Sequence, residues 1–291
     1  MFLQLLVNSL IAGAIYALVA SGFSLIYTTN KFIHFAHGTV VVAGGYLLFL
    51  FFNLLHIPFY ISCILSIIFS ALLGYVINLL VYDNLRKKKS SSSILLIASI
   101  SILIFIESLI LIIFGADVKT IGFIKITKGV EFLGAIITPL QITIIGVSLV
   151  LLILLLLFMK KSKLGKALRA VSDNKDLSEV LGISSKKIYS LSFIIGSAIA
   201  GIAGILVALE QNLEPYIGTN LIIKGFTGAV IGGINFVPGS IIGAFLLGIV
   251  ENFGIWYLPS SYKDAIAFVL LFIFLLFRPQ GIFGIKKGIK Q

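Results

Sequence analysis

Apolar runs separated by short polar connectors dominate the chain, at roughly residues 2–27, 34–55, 58–82, 94–114, 139–159, 188–210, 219–235, 238–258 and 262–278. Most reach the ~20 apolar residues a helix needs to cross a hydrocarbon layer. Lipid offers the backbone no hydrogen-bond partners, so each run is expected to be helical. The predicted fold class is all-α, a polytopic transmembrane helical bundle of about nine spans. The 219–235 run is short, rich in glycine and interrupted by Lys224; the count falls to eight if it is re-entrant. Pro58, Pro139, Pro238 and Pro279 fall at span ends, and Pro215 and Pro259 in connectors. Proline suits a first helical turn, where its missing N–H has no partner to lose.

Composition supports this pattern. Of the 291 residues, 59% are hydrophobic and 11% charged, against about 25% charged in ordinary soluble domains. Such a chain cannot cover itself with polar surface, so residues 1–291 read as one membrane unit. The first run lacks the basic flank of a secretory signal, because the first cation is Lys31; it is expected to stay as a span. Cys63 is the single cysteine, and no CxxC or Cys/His cluster occurs, so no metal site or redox cofactor is expected. There is no GxxxxGK[ST] loop to cradle a nucleotide.

The net charge of +11 is a topological signal. The cations cluster between apolar runs, and the aromatic residues lie inside the runs, a pattern that argues against nucleic acid as a partner and for membrane lipid. Arg86 to Lys89 form one cluster. Lys160, Lys161, Lys163, Lys166, Arg169, Lys175, Lys186 and Lys187 form a second, and Lys286, Lys287 and Lys290 a third. Short basic connectors stay in the cytoplasm. Three crossings precede the first cluster and four separate the second from the third. The expected topology in the cytoplasmic (inner) membrane is therefore N-out and C-in. The 115–138 connector, with Asp117, Lys119, Lys125, Lys128 and Glu131, is expected outside.

The connector 160–187 carries its own pattern. Asp173 is placed to cap a short helix. Leu177, Val180 and Leu181 then share one face at i, i+3 and i+4. Gly182 follows as a left-handed C-terminal cap. So brief a helix has little stability alone and is expected to dock. From spacing, two surfaces remain open: lipid headgroups, or a groove on a cytoplasmic ATPase.

Gly196, Ala200 and Gly204 recur every four residues, as do Gly228 with Gly232 and Gly239 with Gly243. Such strips let helices approach closely; a translocation wall or a broken helix near a substrate path is the other reading. Glu107 and Glu251 lie deep in apolar runs, where a charge costs about 3 kcal/mol. Each belongs either to a pathway or subunit interface, or to a local pair, with Lys224 the partner suggested by depth. His34 and His37, at the start of the second run, suit helix-end hydrogen bonds or pH sensing; no third metal ligand is evident. Trp256 and Tyr257 suit an interfacial aromatic belt.

Several stretches resemble the LivH family, permease subunits of high-affinity branched-chain amino-acid ABC importers. They are NSLIAGAIYALVASGFSLIYTTNKFIHFAHG with its Phe35-Ala36-His37-Gly38 element, RAVSDNKDLSEVLGIS, and the later EPYIGTNLIIKGFTGAVIGGINFVPGSIIGAFLLGIVEN and YKDAIAFVLLFIFLLFRPQGIFG. The likeness covers nearly the whole chain in order. It departs from other importers in lacking a strict EAA-x3-G signature, for which Glu179-Val180-Leu181-Gly182 is the nearest counterpart. The resemblance implies a non-enzymatic permease without cofactors. It further implies a second homologous permease, two cytoplasmic ATPase subunits and an extracytoplasmic substrate-binding protein as partners. It assigns ATPase coupling to Asp173, Leu177, Val180, Leu181 and Gly182, and leaves Glu107, Gly228, Gly232 and Glu251 for a pathway or interface. The implied cargo is a branched-chain or other hydrophobic amino acid; urea or amide uptake is the alternative within the family. Outside it stands an autonomous secondary transporter, for which Glu107 and Glu251 are the only evident ion-coupling groups.

Overall fold

A computed structural model describes residues 2–123, 129–132 and 134–284. Each apolar run is a helix. α1 is Phe2–Asn30 and α2 is His37–Phe49, extended by a π-helical turn at Leu50–Leu54. α3 (Phe59–Ile77), a π-helical turn (Asn78–Tyr82) and α4 (Asp83–Lys87) form one continuous rod. α5 is Ser92–Phe114. A hairpin of β1 (Val130–Phe132) and β2 (Ala135–Ile137) follows. Next come α6 (Pro139–Lys161), α7 (Lys163–Asp173) and α8 (Lys175–Val180). α9 (Ser185–Glu210), α10 (Ile217–Gly232), α11 (Val237–Gly254) and α12 (Lys263–Phe277) complete the chain.

Local chemistry sets several of these starts. Ser91 accepts from the Ile94 N–H to begin α5. Thr138 and Gln141 cap each other's backbone around Pro139 to begin α6. Side-chain oxygens there take N–H groups that have no partner within the helix.

Eight helical segments are long and apolar enough to cross a membrane, and α10 is a shorter apolar helix of 16 residues. At 1.5 Å per residue α10 spans about 24 Å, less than a hydrocarbon core of about 30 Å. It nonetheless runs one way. Gly225 abuts Val19, and Ser24 donates to the Ile234 carbonyl at 3.0 Å, so α10 lies alongside α1 in the same direction. α11 returns, with Gly228 against Ala244 and Gly239 against Gly232. α12 descends again until the Ile282 N–H reaches the Ile231 carbonyl. Among the described residues the protein is thus an all-α polytopic bundle of eight membrane-length helices and the shorter α10. The end of α1, the Arg86 cluster, α7 and the end of α12 share one side of it. Lys125, Lys128, Lys286, Lys287 and Lys290 lie outside the described residues.

The hydrophobic order is layered. α1 is sheathed by α11, α9, α10 and α6, and most of residues 11–29 are buried. α3, α5, α6 and α12 form the outer layer and expose rows of Ile, Leu and Phe. In water such surface would drive association; in lipid it is the solvated face. Between the layers backbones meet through glycine. Gly22 faces Gly196, Gly44 faces Gly201, and a Cβ on Gly204 would overlap the Val41 carbonyl.

One connection departs from expectation. The second span was placed from residue 34, with its histidines near the membrane edge. Instead, the chain turns at Lys31 (φ 57) and runs back into the bundle without helix. α2 starts only at His37, whose ring lies against Gly22, eight residues or about 12 Å back along α1. Phe32, His34 and Ala36 are buried. Backbone groups of this stretch are paired, the Ala36 N–H with Ser99 Oγ at 3.0 Å and the Lys31 carbonyl with Ser92 Oγ at 3.4 Å. Non-helical backbone survives at membrane depth only when protein supplies such partners.

The glycine contacts make a differential prediction. Gly204→Val forces α9 off α2, an overpacking cost of roughly 3 kcal/mol, whereas Gly146, with open space around its Cα, accepts valine. Thermal melts of the two purified variants in detergent check this: the first is expected to melt lower and the second to match the parent.

Candidate functional site

The 160–187 connector is a built element. Ser162 accepts from the Gly165 N–H at 2.8 Å and starts α7 immediately after α6. Gly165 allows the sharp return, since a Cβ there would collide with Phe158 and Met159. Leu168 and Val171 are buried on the inner face of α7, which packs on α6, α1 and α9.

The cap of α8 corrects the sequence reading. Asn174, not Asp173, is the N-cap: its Oδ1 accepts from the Leu177 N–H at 3.0 Å. Asp173 is the last residue of α7, and the chain becomes extended only at Asn174 (φ −151, ψ 105), the conformation an N-cap requires. Ser178 is buried and points inward, while Leu177, Val180 and Leu181 are 56%, 84% and 71% exposed. Gly182 has φ +83. Its N–H meets the Glu179 carbonyl at 3.0 Å, and the Ile183 N–H meets that of Ser178 at 2.9 Å. These are the two bonds of a Schellman ending. Glu179 also accepts from Ser185 at the start of α9. The result is a short, doubly capped knob with three aliphatic side chains outward. Lys186 pairs with Asp83 of α4 at 3.0 Å and fastens the beginning of α9 to the neighbouring rod.

Lys224, Glu251 and Asp264 form one charged network between the helices. Tyr16 Oη donates to Glu251 Oε2 at 2.8 Å. Lys224 Nζ lies 3.6 Å from Glu251 Oε2 and 2.9 Å from Asp264 Oδ1. This network joins α1, α10, α11 and the first turn of α12. The Lys224–Glu251 pair matches their shared depth in the sequence. Tyr16 was missed for want of any signal in its run, and Asp264 because it sits at a span end. Glu107 of α5 accepts from Thr219 Oγ1 in the first turn of α10 at 2.6 Å, and the adjacent Asn220 is exposed. Gly228 and Gly232 lie at the α10–α11 crossing, where α11 backbone approaches within van der Waals distance.

A further cluster escaped the sequence reading. Arg86, read there only as a topological charge, donates to Asn78 Oδ1 at 3.0 Å and Asn30 Oδ1 at 2.5 Å. Its guanidinium lies over Tyr189, 4.6 Å from the ring centre. Asn30 continues to Ser192 at 2.9 Å. The π-helical turn aims Tyr82 at His34, whose Nδ1 is 2.9 Å from the hydroxyl. Asparagines inside apolar runs were the available signal.

Long apolar helices packed on a buried first helix, with a capped knob on the basic side, define a multi-pass helical membrane protein. A family model described as branched-chain amino acid transport system / permease component matches residues 5–275, and the chain belongs to that family. It is 36% identical to the high-affinity branched-chain amino acid transport system permease protein BraD of Pseudomonas aeruginosa, across 97% of this chain and 96% of that protein. It is 32% identical to the permease LivH of Escherichia coli, again across 97% and 96%. Among solved structures, PsaBC from Streptococcus pneumoniae in complex with Fab has the same fold: TM-score 0.52, 17% identity, 94% of this chain and 91% of that one.

The Lys224 network yields a second prediction. Removing one partner of a buried ion pair costs about 3–5 kcal/mol because the other charge stays buried. Lys224→Met is expected to lower the melting temperature of the detergent-solubilised chain, and adding Glu251→Gln to restore most of the loss. A double variant as unstable as the single would disprove the pairing.

Proposed function

We propose that the chain is the transmembrane permease subunit of an ABC importer for branched-chain or other hydrophobic amino acids, powered by ATP hydrolysed on partner subunits. Family membership and the near-complete coverage of BraD and LivH support this reading. The observation that carries it is the knob. Leu177 and Val180 on a capped six-residue helix, with Leu181 at its C-cap, present three exposed aliphatic side chains between two spans and suit insertion into another protein.

In this reading residues 1–291 form a single permease domain with 160–187 as its coupling segment. The N-terminus lies outside and the C-terminus inside, as the basic clusters direct. Two cytoplasmic ATPases dock beneath this subunit and a second homologous permease, and an extracytoplasmic binding protein delivers the solute. Leu177, Val180 and Leu181 fill the ATPase groove. Asp173 ends the supporting helix, and Gly182 permits the turn that presents the knob. Closure of the ATPases on ATP pushes α8, and α7 passes the displacement to α6 and α9. Glu107 serves the pathway or the interface with the second permease. Glu251 clamps α1, α10 and α12 around Lys224. The scarcity of charge along the spans suits a passage that leaves selection to the binding protein.

Reconstitution with the partner subunits tests the reading. ATP-dependent uptake of leucine is expected, and Leu177→Asp with Leu181→Asp is expected to lower uptake and ATPase co-purification at least tenfold. Unchanged association and uptake would refute the coupling role. Uptake by this subunit alone on an ion gradient would overturn the ABC assignment.

A further inference from the structure

α6 and α11 both pack on α1 but make no extensive contact with each other. They leave a cleft of about 430 Å³ at the basic end of the bundle. We propose that this cleft holds one anionic phospholipid, its phosphate at Lys160 and Arg169 and an acyl chain along the apolar wall.

The walls have two chemistries. Leu156 and Met159 of α6 line one side, and Phe236, Val237 and Pro238 at the start of α11 line the other. The floor is Thr28 and Thr29, whose hydroxyls are already spent on α1 carbonyls. The interior therefore asks for hydrocarbon. The mouth does not. Lys160 and Arg169 converge there with Ser172, and Asn235 faces them. Lys31 Nζ is 3.5 Å from both Ser172 Oγ and Asn235 Oδ1, which places a third cation at the rim. Among the described residues Asp173 is the one carboxylate of the lining, beside the cations Lys160 and Arg169. Among the described residues neither Lys160 nor Arg169 has a carboxylate within ion-pair distance. The Arg169 guanidinium makes only a long contact, 3.5 Å, with the Lys160 carbonyl.

A phosphodiester answers both chemistries. A guanidinium and an ammonium offer it charge-assisted donors, and basic pockets between membrane helices on the cytoplasmic side take anionic headgroups. A soluble phosphate would leave the apolar walls empty. The site matters because Arg169 and Ser172 belong to α7, which carries the α8 knob. A lipid bound there braces α7 against α6 and α11, so the anionic lipid content of the membrane sets the rigidity of the coupling segment.

The test uses the full chain purified with its partner subunits in mild detergent, with bound lipid counted by native mass spectrometry. The complex is expected to retain one phosphatidylglycerol and to prefer it at least tenfold over phosphatidylcholine. Lys160→Ala with Arg169→Ala is expected to lower retention at least tenfold, while Lys166→Ala, outside the cleft, leaves it unchanged. Leu156→Trp fills the groove without touching charge and is expected to lower retention as well, which covers the case of a charge variant that fails to fold. Retention that neither variant changes, equal affinity for the two lipids, or displacement of the lipid by inorganic phosphate would overturn the proposal. Because the readout is lipid count, it does not depend on which solute the complex carries or on whether it transports.

Discussion

A peptide N–H or C=O placed in hydrocarbon without a partner costs several kcal/mol, and lipid can supply none. Regular helix is the local answer, and it explains why each apolar run is helical. The breaks in the helices are more informative, because something else must meet the same cost there. The stretch from Lys31 to Ala36 can leave the helix because Ser92 and Ser99 of α5 take two of its backbone groups and the surrounding side chains exclude lipid. Leu213, ahead of α10, pairs its backbone in both directions with Lys119 of the 115–138 connector. α10 can therefore be short: the non-helical residues before it are held by protein.

The same cost governs side chains. Glu251 is buried at 0% exposure and is tolerated because Tyr16 and Lys224 reach it from two other helices. Arg86 is held in an equivalent way by asparagines and an aromatic face. Each arrangement joins elements far apart in the chain, so the charges that are expensive to insert also fix how the helices sit against one another. At the knob the balance is reversed. Leu177, Val180 and Leu181 are left exposed on a segment whose two ends are pinned by caps.

Much of this was legible in the sequence. The long apolar runs, the proline positions and the polar starts of helices are local, and hydropathy reads local order directly. Span limits from the runs agree with the helices to within a few residues in most cases. The shared face of Leu177, Val180 and Leu181 and the left-handed Gly182 follow from helical periodicity and from glycine's lack of a Cβ. The N-cap was misread by one residue because Asp173 and Asn174 are both good caps, and only the backbone decides which leaves helical geometry first.

By itself, then, the sequence determined a polytopic helical membrane protein, the bounds of its helices, the basic side of the bundle and the presence of a small amphipathic element there. The tertiary structure decided which residues meet. It set Tyr16 and Asp264 beside Lys224, Thr219 beside Glu107, and His37 beside Gly22 well inside the bundle. It also left the cleft between α6 and α11. Hydropathy is a property of each segment in turn, whereas these pairings depend on rotation and depth of helices separated by up to 235 residues. Those are set by close backbone contacts such as Gly22 with Gly196, which appear only once the helices are packed.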